Sequence, residues 1–151
     1  MAKSPAELLA PDRPLTLSNV ADGAEGLVIS DLARATAAQK QAPATSALVV
    51  CRDGPRMATL ARALTFFAPE IEVLQLPAWD CLPYDRVSPH RDILARRVDA
   101  LTDLTQLADG APKPIVVTTV AAILQRVPAP TTFAVAAQEL KRGQTLSQQQ
   151  L

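Results

Sequence analysis

The chain is poor in the residue types from which most recognisable sites are built. Only five of its 151 residues are aromatic: Phe66, Phe67, Trp79, Tyr84 and Phe133. The core must therefore be mainly aliphatic, and the aromatic platforms on which single-stranded nucleic acid stacks are nearly absent. There are two cysteines, Cys51 and Cys81, and one histidine, His90. These cannot fill a four-ligand Cys/His zinc site, and so few cysteines fit a reducing cytoplasm better than a disulfide scaffold. Charge of one sign is not in excess: 15 Lys and Arg balance 15 Asp and Glu. A dedicated nucleic-acid module normally carries a concentrated basic face. No apolar run approaches the roughly 18 residues of a membrane span. The opening MAKSPAELLAPDRP lacks the apolar stretch of a secretory signal.

Alanine, leucine and proline are what the chain has in quantity. Its 27 Ala and 20 Leu favour helix. A chain of this length buries roughly 68–70% of its unfolded surface, enough for a core without metals or disulfides. The 13 prolines mark the joints between elements. Pro5, Pro11 and Pro14 make residues 1–14 a loosely attached arm. Leu15–Val20 alternates apolar and polar residues and predicts a strand. Ala21–Gly26 is a turn, and Leu27–Lys40 a helix with Val28, Leu32 and Ala35 on one side. Ser46–Cys51 is a continuous apolar run, as expected of a buried parallel strand. Asp53-Gly54-Pro55 then opens a helix whose stripe is Met57, Leu60, Ala61, Leu64 and Phe67. Ile71–Leu76 predicts a third strand.

Pro77–His90 is irregular and long for a βα loop. It ends at Ser88-Pro89, an N-cap followed by Pro at the first helical position. Leu94, Val98, Leu101, Leu104 and Leu107 follow at helical spacing. Ile115–Val117 leads a fourth strand, and Thr118 or Thr119 caps a short helix, Val120–Arg126. Phe133–Leu140 reads as an extended exit. Four strand–helix alternations predict an α/β domain over residues 15–131, a parallel sheet with helices on both faces. Residues 132–151 then form an exit segment.

The turn after the first predicted strand is where a nucleotide-binding α/β domain carries its phosphate loop. Aligning Gly26 with the second glycine of GxxxxGK[ST] puts Ala21 at the first glycine, Leu27 at the lysine and Val28 at the hydroxyl. The lysine that meets the phosphates is missing, a loss of about 4 kcal/mol or roughly a thousandfold in affinity. Gly23, Gly26, Leu27 and Val28 thus read as a degenerate, non-binding loop. Asp80, Asp85, Asp92 and Asp99 alternate with Arg86, Arg91, Arg96 and Arg97. That balance reads as a solvated, ion-paired helix face rather than a metal site. His90 reads as a helix-start residue without a nucleophile to serve, Cys51 as core, and Cys81 as a loop thiol near Arg86 and His90. Trp79 and Tyr84, with Arg86 and His90, form a loop that either packs on the sheet edge or contacts a partner.

Taken together, LPAWDCLPYDRVSPHRDILARRVDALTDL and PIVVTTVAAILQRVP closely resemble the N-terminal region of bacterial transcription-repair coupling factors. VADGAEGLVISDLA and RALTFFAPEIEVLQLP resemble the same family, and the likeness runs from about residue 15 to about residue 147. The resemblance implies a helicase-like Rossmann-type domain, the first piece of a module similar to the excinuclease protein UvrB. LKRGQTLSQQQL would lead into an inserted subdomain. The family is an ATP-dependent DNA translocase that displaces stalled RNA polymerase and recruits the excinuclease protein UvrA. By likeness, UvrA is met by the inserted subdomain, and RNA polymerase and DNA by later domains. ATP and Mg²⁺ would be used by motor domains outside this chain, so no cofactor is expected here. Nor does any family catalytic residue map onto the sequence. The resulting expectation is a cytoplasmic, non-catalytic scaffold that also meets other subdomains of its own protein. The alternatives are a vestigial nucleotide- or DNA-binding domain and a small α/β enzyme using His90 or Cys81.

Overall fold

A computed structural model describes residues 14–37, 47–82, 84–107 and 113–136. The elements in chain order are α1 (Glu25–Ala37), β1 (Ala47–Cys51), α2 (Gly54–Phe67), β2 (Val73–Leu76), α3 (Arg91–Thr105), β3 (Ile115–Thr119), α4 (Val120–Ile123) and α5 (Pro130–Ala136). The three strands form one parallel sheet in the order β1-β3-β2. Ala47 and Val73 both pair with Ile115, and Val50 and Leu76 both pair with Thr118. The last strand in sequence is thus the central one. All five of its residues are buried, as its unbroken apolar start requires.

Helices cover both faces. On one face Ala33 of α1 and Met57, Leu60 and Leu64 of α2 pack on Cys51, Ile115 and Val117. On the other, Ala100 of α3 packs on Leu74 and Val116, with Leu76 and Leu104 alongside. Helix α2 begins as its sequence dictates: Asp53 is the N-cap and accepts the Arg56 N–H, and Pro55 sits in the first turn. Arg34 of α1 ties the two helices on the first face together. It donates to the Phe67 carbonyl at 2.7 Å and to Glu70 at 2.7 Å, with Asp31 3.2 Å away.

The architecture departs from the sequence reading in several places, among them the starts of α1 at Glu25 rather than Leu27 and of β2 at Val73 rather than Ile71. Leu15–Val20 is no strand. It has no assigned secondary structure and is largely exposed, and Asn19 takes a left-handed φ of 59° that ends any extended run. Among the described residues the sheet therefore has three strands, not four. Helix α3 starts at Arg91, two residues later than Ser88-Pro89 implied, because the His90 ring does the capping. The short helix after β3 ends at Ile123, not Arg126, although Thr119 caps it as expected. The start of the predicted exit segment, from Phe133, is helical within α5 rather than extended. The arm over residues 1–13, the end of the first helix near Lys40 and residues 137–151 lie outside the described residues.

The apolar stripe read for α3 only partly marks its buried face: Leu104 packs on the core, but the first turns of the stripe do not. Leu94 is 46% exposed and Val98 is exposed as well, while Arg97 is only 2% exposed. The face that meets the sheet is Arg97, Ala100 and Leu104, spaced i, i+3 and i+7. Small Ala100 lets the helix approach the strands, and the long Arg97 side chain reaches their carboxyl ends.

Gly26 marks the tightest helix contact. A Cβ there would lie 2.7 Å from the Ala63 Cβ and 3.2 Å from the Phe67 ring. Gly26→Ala gains up to about 1 kcal/mol of helix propensity, but overpacking costs roughly 1–3 kcal/mol. The expected net result is a loss of roughly 1 kcal/mol in urea unfolding. In a double-mutant cycle Ala63→Gly should recover part of that loss.

Candidate functional site at the carboxyl edge of the sheet

Parallel α/β sheets place their sites outside the carboxyl ends of the strands. Two concavities lie at that edge here. The first is at the end of β1, where Cys51 leads through Arg52-Asp53 into α2. It has a volume of about 550 Å³ and takes in Asp22 and Glu25 from the start of α1, together with Arg52 and Arg56. This is the first place among the described residues where a strand leads through a turn into a helix. Gly23, with φ of 87°, is in the turn before α1, and its N–H donates to Glu25 at 2.9 Å. Gly26, Leu27 and Val28 are already helical, and no strand precedes them among the described residues. The continuous run ALVVC followed by Asp-Gly-Pro was the available signal.

The charges of this first concavity are balanced, Asp22 and Glu25 against Arg52 and Arg56, where a phosphate site is basic. Asp53 holds the helix N-terminus, its Oδ1 accepting the Arg56 N–H at 2.8 Å, and Oδ2 pairs with Arg52 at 2.9 Å. The Arg56 N–H, and then Arg52, hold its carboxyl below the ordinary aspartate range. Glu25 pairs with the Arg56 guanidinium. Its own backbone N–H, then Arg56, hold Glu25 below the ordinary glutamate range. Cys51 lies in the sheet, and burial pushes its thiol up, as expected of a core cysteine.

The second concavity is a cleft of about 980 Å³ between the 77–90 loop and the segment after β3, with Trp79, Leu82, Val87, Leu124, Gln125 and Arg126 in its walls. Beneath it lies Arg97. Its guanidinium donates to the Pro77 carbonyl and, at 3.3 Å, to Gln125 Oε1. It stacks 4.4 Å from the Trp79 ring centroid, a cation–π contact. Gln125 also accepts the Trp79 N–H at 3.1 Å. Among the described residues no carboxylate pairs with Arg97, and its Nε has no hydrogen-bond partner. Burial lowers its pKa, yet a guanidinium stays charged in a protein.

The loop residues singled out from sequence separate into two groups. Trp79 is half-buried on Arg97, whereas Tyr84 and Arg86 are exposed. His90 is the N-cap of α3, its Nδ1 accepting the Asp92 N–H at 3.3 Å, and Asp80 accepts the His90 N–H at 3.2 Å. Cys81 is a free, half-buried thiol in the cleft wall. The expected ion-paired face is not formed: among the described residues none of Arg86, Arg91, Arg96 and Arg97 pairs with an aspartate of that stretch. Nor does any group of three or more metal-ligating side chains occur among the described residues. Sequence reasoning missed Arg97 and Gln125, the two residues that hold the loop. Neither residue type nor spacing marked them.

A relationship to known proteins covers much of the chain. The transcription-repair coupling factor of Haemophilus influenzae is 32% identical over 111 residues, 74% of this chain. That of Escherichia coli is 34% identical over 79 residues, 52% of this chain. The chain resembles the N-terminal region of transcription-repair coupling factors. It spans about 9% and 6% of the length of these curated relatives. No family model matches it, and no solved structure does. No helix among the described residues is long and apolar enough to cross a membrane.

Two outcomes follow from the site of this coupling-factor-like segment. Asp53, Glu25 and Glu70 have lowered pKa values. Their stabilisation is complete above the ordinary carboxylate range and is lost as pH falls through the folded values, below roughly pH 4. Asp53→Asn, whose amide oxygen still caps α2 but which lacks the charge, should lower the neutral plateau of the melting-temperature profile by the increment that the wild type loses through Asp53 in acid, and so flatten its acid side. Arg97→Ala should cost about 2–4 kcal/mol and red-shift Trp79 emission. Leu94→Ala on the neighbouring apolar stripe should cost under about 1 kcal/mol, the reverse of what that stripe implied.

Proposed function

We propose that this segment is a non-catalytic scaffold, the first α/β piece of a UvrB-like module in a transcription-repair coupling factor. In this reading the fold is a helicase-like one whose phosphate loop has been lost. The supporting observation is the β1–α2 turn. A phosphate loop presents free backbone N–H groups and a lysine to an anion. Here the Asp53 carboxylate already occupies the N–H of Arg56, Pro55 has no N–H to offer, and the two cations there, Arg52 and Arg56, are engaged by Asp53 and Glu25. An incoming phosphate would meet two carboxylates held in their charged form.

The module would help recruit the excision-repair machinery, with UvrA bound by adjacent chain, to stalled RNA polymerase in the cytoplasm. Translocation on DNA, with its ATP and Mg²⁺, would belong to domains beyond this segment. The curated relatives support this role by name. Calorimetric titration with Mg-ATP at low salt should give no binding down to millimolar affinity. A micromolar isotherm would overturn the scaffold reading and make the segment a nucleotide sensor.

A further inference from the structure

Arg97 is 2% exposed, yet the partners that the structure gives it are neutral: the Pro77 carbonyl, Gln125 Oε1 and the Trp79 ring. Among the described residues it makes no ion pair, and its Nε is buried without an acceptor. A buried ion recovers its lost hydration through a counter-ion and a full set of hydrogen bonds. A buried donor left unmade carries a cost of its own. Arg97 has neither remedy in full. Its closed surroundings are held by the cation–π contact and the hydrogen bonds to its cover, against the hydration that the guanidinium would regain in water.

The cover is formed by Trp79 and Gln125, both half-buried and fastened to each other by the Trp79 N–H on Gln125 Oε1 at 3.1 Å. The chain on either side of Trp79 is fixed by bonds that do not involve Arg97. Thr118 Oγ1 donates to the Leu76 carbonyl at 2.9 Å, and Asp80 accepts the His90 N–H through both oxygens at 3.2 Å. Residues 77–79 thus form a short span between two anchors. We propose that Trp79 and Gln125 are a gate over Arg97. They swing off the guanidinium while Leu76 and Asp80 stay in place, and the open state presents a hydrated cation at the carboxyl edge of the sheet, where α/β domains take ligands. Gln125 sets the balance, because its amide oxygen is shared by Arg97 and the Trp79 N–H and carries no charge to hold the cation closed. The gate operates whether or not the segment is a scaffold, a role that the nucleotide titration tests separately.

The test is hydrogen exchange of the Trp79 amide in the full chain. Trp79 is the sole tryptophan, so isotopic labelling of tryptophan alone isolates its amide signal. Exchange is followed as urea is raised below the unfolding transition. A gate whose open state is populated at about 0.1–10% gives the amide roughly tenfold to thousandfold protection that stays flat in low urea. Gln125→Glu still accepts the Trp79 N–H and supplies Arg97 with a counter-ion. It should raise that protection roughly tenfold, the equivalent of about 1.4 kcal/mol. Leu124→Glu places the same charge on the next side chain, which is 79% exposed, and should leave protection unchanged. Both substitutions fall outside the core, and circular dichroism checks that the fold persists. Wild-type protection that falls with urea as steeply as global stability does overturns the gate, because Trp79 is then a fixed clamp. Absence of protection overturns it too, as does a Gln125→Glu chain protected no better than the wild type or no better than Leu124→Glu.

Discussion

The burial of β3 on both faces and along both edges is the constraint on which the rest of the structure depends. Its backbone pairs with β1 on one side and β2 on the other. Its side chains fill the two clusters above and below: Ile115 and Val117 go to α1 and α2, and Val116 goes to α3. Burying a side chain of this kind contributes about 1.5–3 kcal/mol, so these three residues secure both layers at once. Because β3 comes last among the strands, both of its neighbours must already be in place for it to pair on both edges. The contacts that define the sheet are therefore long-range ones.

Where residue pattern and burial agree, the fold could be read from the chain directly. The run IVVTT, the stripe Met57, Leu60, Ala61 and Leu64, and the caps Asp53 and Thr119 all stand where spacing put them, whereas ALVVC is a strand as read but leaves Leu48 and Val50 exposed on one face rather than covered on both. Each is fixed by neighbours within a few residues. Leu15–Val20 shows the limit of that logic. Alternation supplies a strand's two faces but not a partner edge, and six residues with Asn19 near their end are too few to impose one. Helix α3 shows another limit. Its apolar stripe and its buried face are adjacent rather than identical, because the end of β2 presents a carbonyl, at Pro77, that only a long donor can reach.

The candidate sites divide along the same line. A phosphate-loop argument applied at the first glycine-containing turn fell on Gly23 and Gly26. The first marks a left-handed turn and the second a helix crossing. Among the described residues a strand first leads directly into a helix one element further on, at Cys51–Arg56. The family resemblance, by contrast, runs along most of the chain and is most specific in the irregular loop that pattern reasoning treats as uninformative. Specific sequence there reflects specific contacts: Trp79 against Arg97, Asp80 with the N–H of His90, and Gln125 bridging both sides.

The way that loop is fastened has a consequence for change. The grip lies at its two ends, at Pro77–Trp79 on one side and Asp80 with His90 on the other. The Pro77 anchor is a backbone carbonyl, which any residue would supply. At the tip, among the described residues, the hydrogen bonds are internal: Asp85 and Leu82 bond only to each other. The tip is thus mechanically separate from the sheet that carries it. It can lengthen, shorten or be replaced by another sequence while the ends keep their hold, which makes it the natural graft point of this domain.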